Sequence, residues 1–262
     1  LAVFIYAFAS LANSWGIIFS KAKVEKAGLI LVWAGLLVHS GALVFRWIAA
    51  GHGPYISKYE VLSSNAWVML VFFLLFARIY PRIRQISIIV FPAAFLLIAI
   101  GMFMDTSIQS LPPTLNSLWL ILHVAFYKIS LATLLTSLAF SLLYILKNRT
   151  SYPWLDKIPD NPVNDAFAYR FAGFGFIFWA IAMLSGSIWA YQSWGRFWGW
   201  DAIEIWSLGT WIIFGLYLHM RKFFDLKGER AAYFFILCFV ISLLCIFIIP
   251  LVDTSVHSSY FR

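Results

Sequence analysis

From Ser193 to Trp211 the chain reads SWGRFWGWDAIEIWSLGTW. Trp194, Trp198, Trp200, Trp206 and Trp211 are interleaved there with Gly195, Arg196, Gly199, Asp201 and Glu204. Indole rings favour a membrane interface, so one or two tryptophans at the end of a span need no further cause. Five in so short a segment also suit a flat aromatic surface that glycines leave open to a planar ligand, which would bind by stacking. Asp201 and Glu204 are three apart and lie near one helix face. They suit pairing with Arg196, orientation of a nearby imidazole, or stabilisation of a helix N-terminus.

Two histidines flank this segment in the chain, His123 and His257. A lone histidine near an interface is ordinarily a packed, hydrogen-bonded group. A pair on the same side as an aromatic surface also suits a bis-imidazole iron site, since imidazole is a common axial ligand of haem. No acid–base dyad, nucleophile elbow or phosphate loop is evident, so no catalytic residue can be separated from ligand binding.

The elements that must position these groups are membrane helices. Hydrophobic residues make up 63% of the chain and charged residues 11%, too little charge to cover a soluble domain of 262 residues. An apolar stretch of about 20 residues crosses a bilayer core, and such stretches recur over 1–20, 28–50, 61–80, 84–104, 118–146, 166–191, 203–220 and 231–251. The sequence therefore predicts an all-α polytopic bundle of about eight transmembrane helices, with the fifth and sixth running past the membrane. Short connections leave no room for a soluble domain, so 1–262 reads as a single membrane domain, with the 193–211 segment between helices 6 and 7. Cys238 and Cys245 are seven apart on one face of the last helix, neither a redox pair nor a metal-ligand spacing, and read as core packing.

The net charge of +8 would suit nucleic acid if it were clustered on a soluble face. Instead 14 of the 19 basic residues (Lys21, Lys23, Lys26, Arg78, Arg82, Arg84, Lys147, Arg149, Lys157, Arg170, Arg221, Lys222, Lys227 and Arg230) fall in the odd-numbered connections or at the span ends that border them, and the other five (Arg46, Lys58, Lys128, Arg196 and Arg262) lie on the opposite side or within a span. Positive residues stay on the cytoplasmic side during insertion. Both termini and the even connections are therefore expected outside, with His123, His257 and the Trp segment, and no nucleic-acid partner is expected.

The stretch Trp194-Gly195-x-x-Trp198-Gly199-Trp200-Asp201-x-x-Glu204-x-Trp206 resembles the tryptophan-rich WWD signature of haem-handling proteins. Its continuation to Tyr217-Leu218-His219-Met220-Arg221 resembles the CcsA-type (ResC-like) branch of System II cytochrome c biogenesis. The likeness extends to Leu115–Val124 around His123, to Val256-His257-Ser258-Ser259-Tyr260, and to Arg46–Glu60. One departure is that Ala202-Ile203 stand where the family often has Pro-Lys after the aspartate.

The resemblance implies roles. His123 and His257 would ligate an external haem iron, cradled by Trp194, Trp198, Trp200, Asp201, Glu204 and Trp206. His219 would bind haem arriving from the cytoplasmic side. The family exports haem b and presents it to the CxxCH motif of apocytochrome c for thioether attachment, a haem lyase activity exercised with a CcsB (ResB-like) partner, separate or fused upstream. A chain beginning at Leu1 is compatible with the C-terminal part of such a fusion. The implied location is the bacterial inner membrane with its active face to the periplasm, or a thylakoid membrane with a lumenal active face.

Ionisable groups inside a membrane are expensive and by default functional. His39 stands mid-span, roughly 16 Å from the inner boundary and on the order of 10 Å further out than His219 at a rise of about 1.5 Å per residue. Two axial ligands must reach one iron, so the second inner ligand is expected from the partner subunit, with His39 a structural residue. Lys128 suits snorkelling, internal pairing or contact with a haem propionate. His52 and Glu60 lie in the outer second connection, where they could meet the partner or the apocytochrome. Two other classes fit the composition. A multi-helix transporter would place broken helices and substrate groups at midplane, and a di-haem electron-transfer cytochrome b would pair histidines inside the bundle.

Overall fold

The computed structural model describes residues 1–248, and His257 lies outside the described residues. Among these the chain forms eight α-helices and no strand: α1 (Ala2–Ile18), α2 (Ala22–Ala50), α3 (Lys58–Ile79), α4 (Ser87–Gly101), α5 (Leu118–Arg149), α6 (Asn161–Trp194), α7 (Ala202–Phe223) and α8 (Gly228–Leu243). Six helical stretches are long and apolar enough to cross a membrane, α2 to α7 with Pro81–Ile86 extending α4. This is the polytopic membrane bundle expected from the sequence. Helices α5 and α6 run for 32 and 34 residues, longer than the roughly 20 that a bilayer core requires, so both overrun it as expected. Helix α8 is followed by a wider π turn over Leu244–Ile248.

The chain divides into two compact units. One comprises residues 1–110 and 145–164; the other comprises 111–144 and the chain from Asp165 onward.

In the first unit α1 and α2 run antiparallel, with Tyr6 against Gly35 and Asn13 against Gly28. A Cβ on either glycine would come within 2.6 Å of the facing residue. Small residues at a seven-residue spacing let the backbones approach, which matters in lipid, where apolar surface alone does not drive helices together. His39 is buried in this unit, with Nδ1 3.2 Å from the Tyr6 hydroxyl and Nε2 2.8 Å from the Ser63 hydroxyl. Both ring nitrogens are engaged, in keeping with a structural histidine.

In the second connection His52 and Glu60 are engaged within this unit. Ser57 and Glu60 form a reciprocal capping box at the start of α3. Glu60 Oε1 also accepts from Arg46 Nε at 2.8 Å, and the other two guanidinium nitrogens donate to the Thr106 and Ser107 carbonyls. The His52 ring bridges the carbonyls of Gly53 and Gln109 at 2.8 and 2.9 Å. Both His52 and Glu60 are buried, because each satisfies backbone groups of the loops that cover the helix ends.

The second unit is built on an antiparallel seam between α5 and α6. His123, Ser130 and Ser137 are seven apart, two helical turns, and donate to the carbonyls of Ala182, Gly175 and Ala168, also seven apart, at 2.8, 2.8 and 2.7 Å. Every acceptor belongs to a small residue, so the side chains of α5 can reach the backbone of α6. Helix α7 buries Ser207, Thr210, Phe214, Tyr217 and Arg221, a stripe spaced three and four residues apart that defines one face. Cys238 and Cys245 are buried thiols, as expected of packing residues. At the other end of this unit Asp165 receives both terminal nitrogens of Arg221, at 2.6 and 2.7 Å, and the backbone N–H of Gly228 at 3.0 Å. One carboxylate thus joins α6, α7 and α8.

Candidate haem-handling site

His123 is the best-defined group of the site. Its Nδ1 lies 2.8 Å from the Ala182 carbonyl. A carbonyl only accepts, so Nδ1 carries the proton, which in a neutral imidazole leaves on Nε2 the lone pair that an iron requires, the usual arrangement of a ligating imidazole. Gly186, one turn further along α6, makes room for the ring, since a Cβ there would overlap the imidazole at Nδ1. Tyr127, one turn along α5, stands edge-on to the ring at 4.9 Å, and Trp189 of α6 lies 6.4 Å from it.

A second layer fixes these neighbours. The Tyr127 hydroxyl bonds to the Ser207 hydroxyl, which also accepts from Trp179 Nε1 at 3.1 Å. Helices α5, α6 and α7 therefore meet at one serine, reached from α5 by Tyr127, one turn from His123. Trp189 Nε1 and Ser193 Oγ both donate to the Thr114 carbonyl at 2.9 Å, which ties the end of α6 to the segment before α5. None of Tyr127, Trp179, Gly186, Trp189 or Ser207 stands out in the sequence. The seven-residue spacing of His123, Ser130 and Ser137 was the available signal, because it marks the face of α5 that meets a neighbour.

The Trp-rich segment folds back along the last turns of α6. Phe197 stacks on Tyr191 at 4.3 Å and its carbonyl accepts from Ser187 Oγ at 2.6 Å. Asp201 caps α7 by accepting from the Glu204 backbone at 2.9 Å, while Glu204 Oε2 accepts from the Gly199 backbone at 2.7 Å. Asp201 thus caps α7 while Glu204 ties the preceding loop to the helix start, and no ion pair joins either to Arg196 among the described residues.

The aromatic surface differs from a flat sheet. Trp198 and Trp200 meet edge to face at 81°, and Trp189 and Trp194 at 64°, the arrangement their ring quadrupoles favour. Trp211 belongs elsewhere: it stacks on Phe176 at 4.6 Å and donates to the Phe176 carbonyl, so it packs α7 on α6. Trp200 and Trp206 keep exposed faces, at 70% and 44%. Trp200 is held at φ 57°, a left-handed conformation that a bulky residue rarely adopts and that costs about 1–2 kcal/mol.

His219 lies elsewhere on α7. It is exposed, against Phe223 and Phe224 at 4.6 and 5.9 Å. Two residues from buried Tyr217 and from buried Arg221, it points away from the packed stripe. Lys128 is buried on α5.

These features define a polytopic helical membrane protein with a seated imidazole linked through Trp189 to Trp194, the start of an exposed aromatic loop. A family model described as cytochrome C assembly protein matches residues 33–257, and the chain belongs to that family. It is 34% identical to the cytochrome c biogenesis protein CcsA of Chlamydomonas reinhardtii over 226 residues, which cover 82% of this chain and 63% of that protein. It is 30% identical to the CcsA of Prochlorococcus marinus (strain AS9601), covering 98% of this chain and 92% of that protein. The solved structure of the cytochrome c heme lyase CcmF superposes with a TM-score of 0.71 over 94% of this chain and 44% of that one; at 14% identity this likeness is one of fold. The family carries haem handling in cytochrome c maturation with it.

Proposed function

We propose that this chain carries haem b across the membrane and presents it on the outer face to apocytochrome c, acting as a cytochrome c haem lyase together with a CcsB-type partner. Each cysteine of the CxxCH motif adds across one haem vinyl group. Sulfur bonds to the ring-side carbon and the thiol hydrogen ends on the terminal carbon, with no net oxidation. The protein's task in such a step is to hold iron ferrous and aim the vinyls, so positioning is its main contribution.

His123 and His257 serve as axial ligands of the external haem, and Trp194, Trp198, Trp200, Asp201, Glu204 and Trp206 form or brace its cradle. His219 binds haem on its way from the cytoplasmic side, with the second ligand supplied by the partner. The outer face is periplasmic in a bacterial inner membrane, or lumenal in a thylakoid membrane, and 1–262 acts as one haem-handling domain with both termini outside. The observation that carries this reading is the seat of His123: Nδ1 is committed to the Ala182 carbonyl, and the ring is linked through Trp189 to Trp194, where the Trp-rich segment begins. Neither the transporter nor the electron-transfer reading has an observation of its own to favour it.

Single alanine replacements of His123 and His257 test the assignment. Each should abolish or strongly reduce holocytochrome formation, with partial recovery on adding imidazole, which fills the vacant coordination position. Normal maturation by both variants would defeat it. Trp198→Ala and Trp200→Ala should lose haem with both histidines intact.

A further inference from the structure

Arg196 is exposed, and no ion pair or hydrogen bond engages its guanidinium among the described residues. The two acids that follow it closely in sequence are turned to other donors, Asp201 to the Glu204 backbone and Glu204 to the Gly199 backbone. The guanidinium is nonetheless placed: it rests on Gly199, where an added Cβ would stand 2.7 Å from Cζ and 2.8 Å from Nη2. Around it the loop is shaped by left-handed backbone at Gly195 and Trp200, and it presents the exposed rings of Phe197 and Trp200. A planar cation with no polar partner among the described residues, in a loop that exposes Trp200 and one face of Phe197, fits a flat aromatic ligand that carries a carboxylate on its rim.

We propose that Arg196 receives a propionate carboxylate of haem and so sets which edge of the porphyrin faces the apocytochrome. This rests on the haem reading above and adds a rotational anchor to it. Axial imidazoles fix iron and the ring normal but leave the ring free to turn about that axis. The vinyl groups occupy the half of the ring away from the propionates, so a propionate held at Arg196 turns both vinyls away from the loop, toward an incoming CxxCH segment. A guanidinium offers two parallel N–H donors to a carboxylate, which resists that rotation better than a single ammonium does.

The test uses the protein co-purified with its partner, stripped of haem, and titrated by absorbance with haem and with haem dimethyl ester, whose carboxylates are blocked. The unaltered protein should bind haem roughly tenfold or more tightly than the diester, the size of one charge-assisted hydrogen bond at a partly exposed site. Arg196→Gln should remove that difference by weakening haem while leaving the diester unchanged, and Arg196→Lys should fall between. Gly199→Ala, which crowds the guanidinium while keeping its charge, should reduce the difference. Equal weakening of both ligands by Arg196→Gln would overturn the proposal in favour of a role in loop shape, and weakening of neither would overturn it outright. A haem affinity that responds to Arg196→Gln only in anionic-lipid nanodiscs would assign the guanidinium to lipid phosphate instead. If the unaltered protein binds neither ligand, the haem reading itself fails, and this proposal with it.

Discussion

Replacing Gly186 by alanine should unseat His123 without altering the imidazole. The new Cβ would overlap Nδ1 and stand 2.6 Å from Cε1 and 3.2 Å from Cγ, so the ring has to move. It cannot move and keep its 2.8 Å bond to the Ala182 carbonyl. Loss of that bond costs about 1 kcal/mol, and repacking against Tyr127 and Trp189 adds about 1–3 kcal/mol. Alanine returns up to about 1 kcal/mol through its better helix propensity. The net loss of stability is therefore about 1–4 kcal/mol, small enough for a folded protein, while the ligating nitrogen is displaced. Gly173, on the same helix with nothing within 4 Å of an added Cβ, supplies the control. Haem content per chain, read by absorbance on purified protein, should fall toward that of His123→Ala for Gly186→Ala and stay unchanged for Gly173→Ala. Folded Gly186→Ala protein with full haem content and an unaltered ligation spectrum would refute the packing argument.

Asp165→Ala should destabilise the second unit by about 3 kcal/mol or more, since it leaves the buried Arg221 guanidinium without its carboxylate. A detergent melt should show a clear fall in Tm, much of it recovered in an Asp165→Leu, Arg221→Met double variant. His219→Ala should deplete haem at the external site as well, because supply is cut upstream, whereas His39→Ala should leave loading largely intact. Haem occupancy of the two variants co-purified with the partner decides this, and equal loss of inner haem in both would restore His39 as a ligand. Reporter fusions after Leu146 and Phe223 should behave as cytoplasmic and one after Trp198 as external; a cytoplasmic signal at Trp198 would overturn the proposed orientation.

Hydropathy alone determined that this is a bundle of membrane helices, because the thickness of a bilayer converts a local run of apolar residues directly into a span. The basic residues of the odd connections likewise assign an orientation without reference to packing. The residues with uncommon chemistry, His123, His219 and the Trp194–Trp206 cluster, were also visible in the sequence. Which of them touch was not. Trp211 sits in the same tryptophan run as Trp206, yet one packs on Phe176 and the other is exposed, because a five-residue step around a helix moves a side chain through about 140°. His39 and His219 are both span histidines; the structure encloses one between Tyr6 and Ser63 and leaves the other outside its bundle face. The seat of His123 depends on a seven-residue register between α5 and α6 that brings Gly186 and the Ala182 carbonyl opposite the ring. Register and helix rotation are relations between distant segments. In lipid they are set by close backbone approach at small residues rather than by the burial of apolar surface, so the hydrophobic pattern that reveals the helices carries little information about how they face each other.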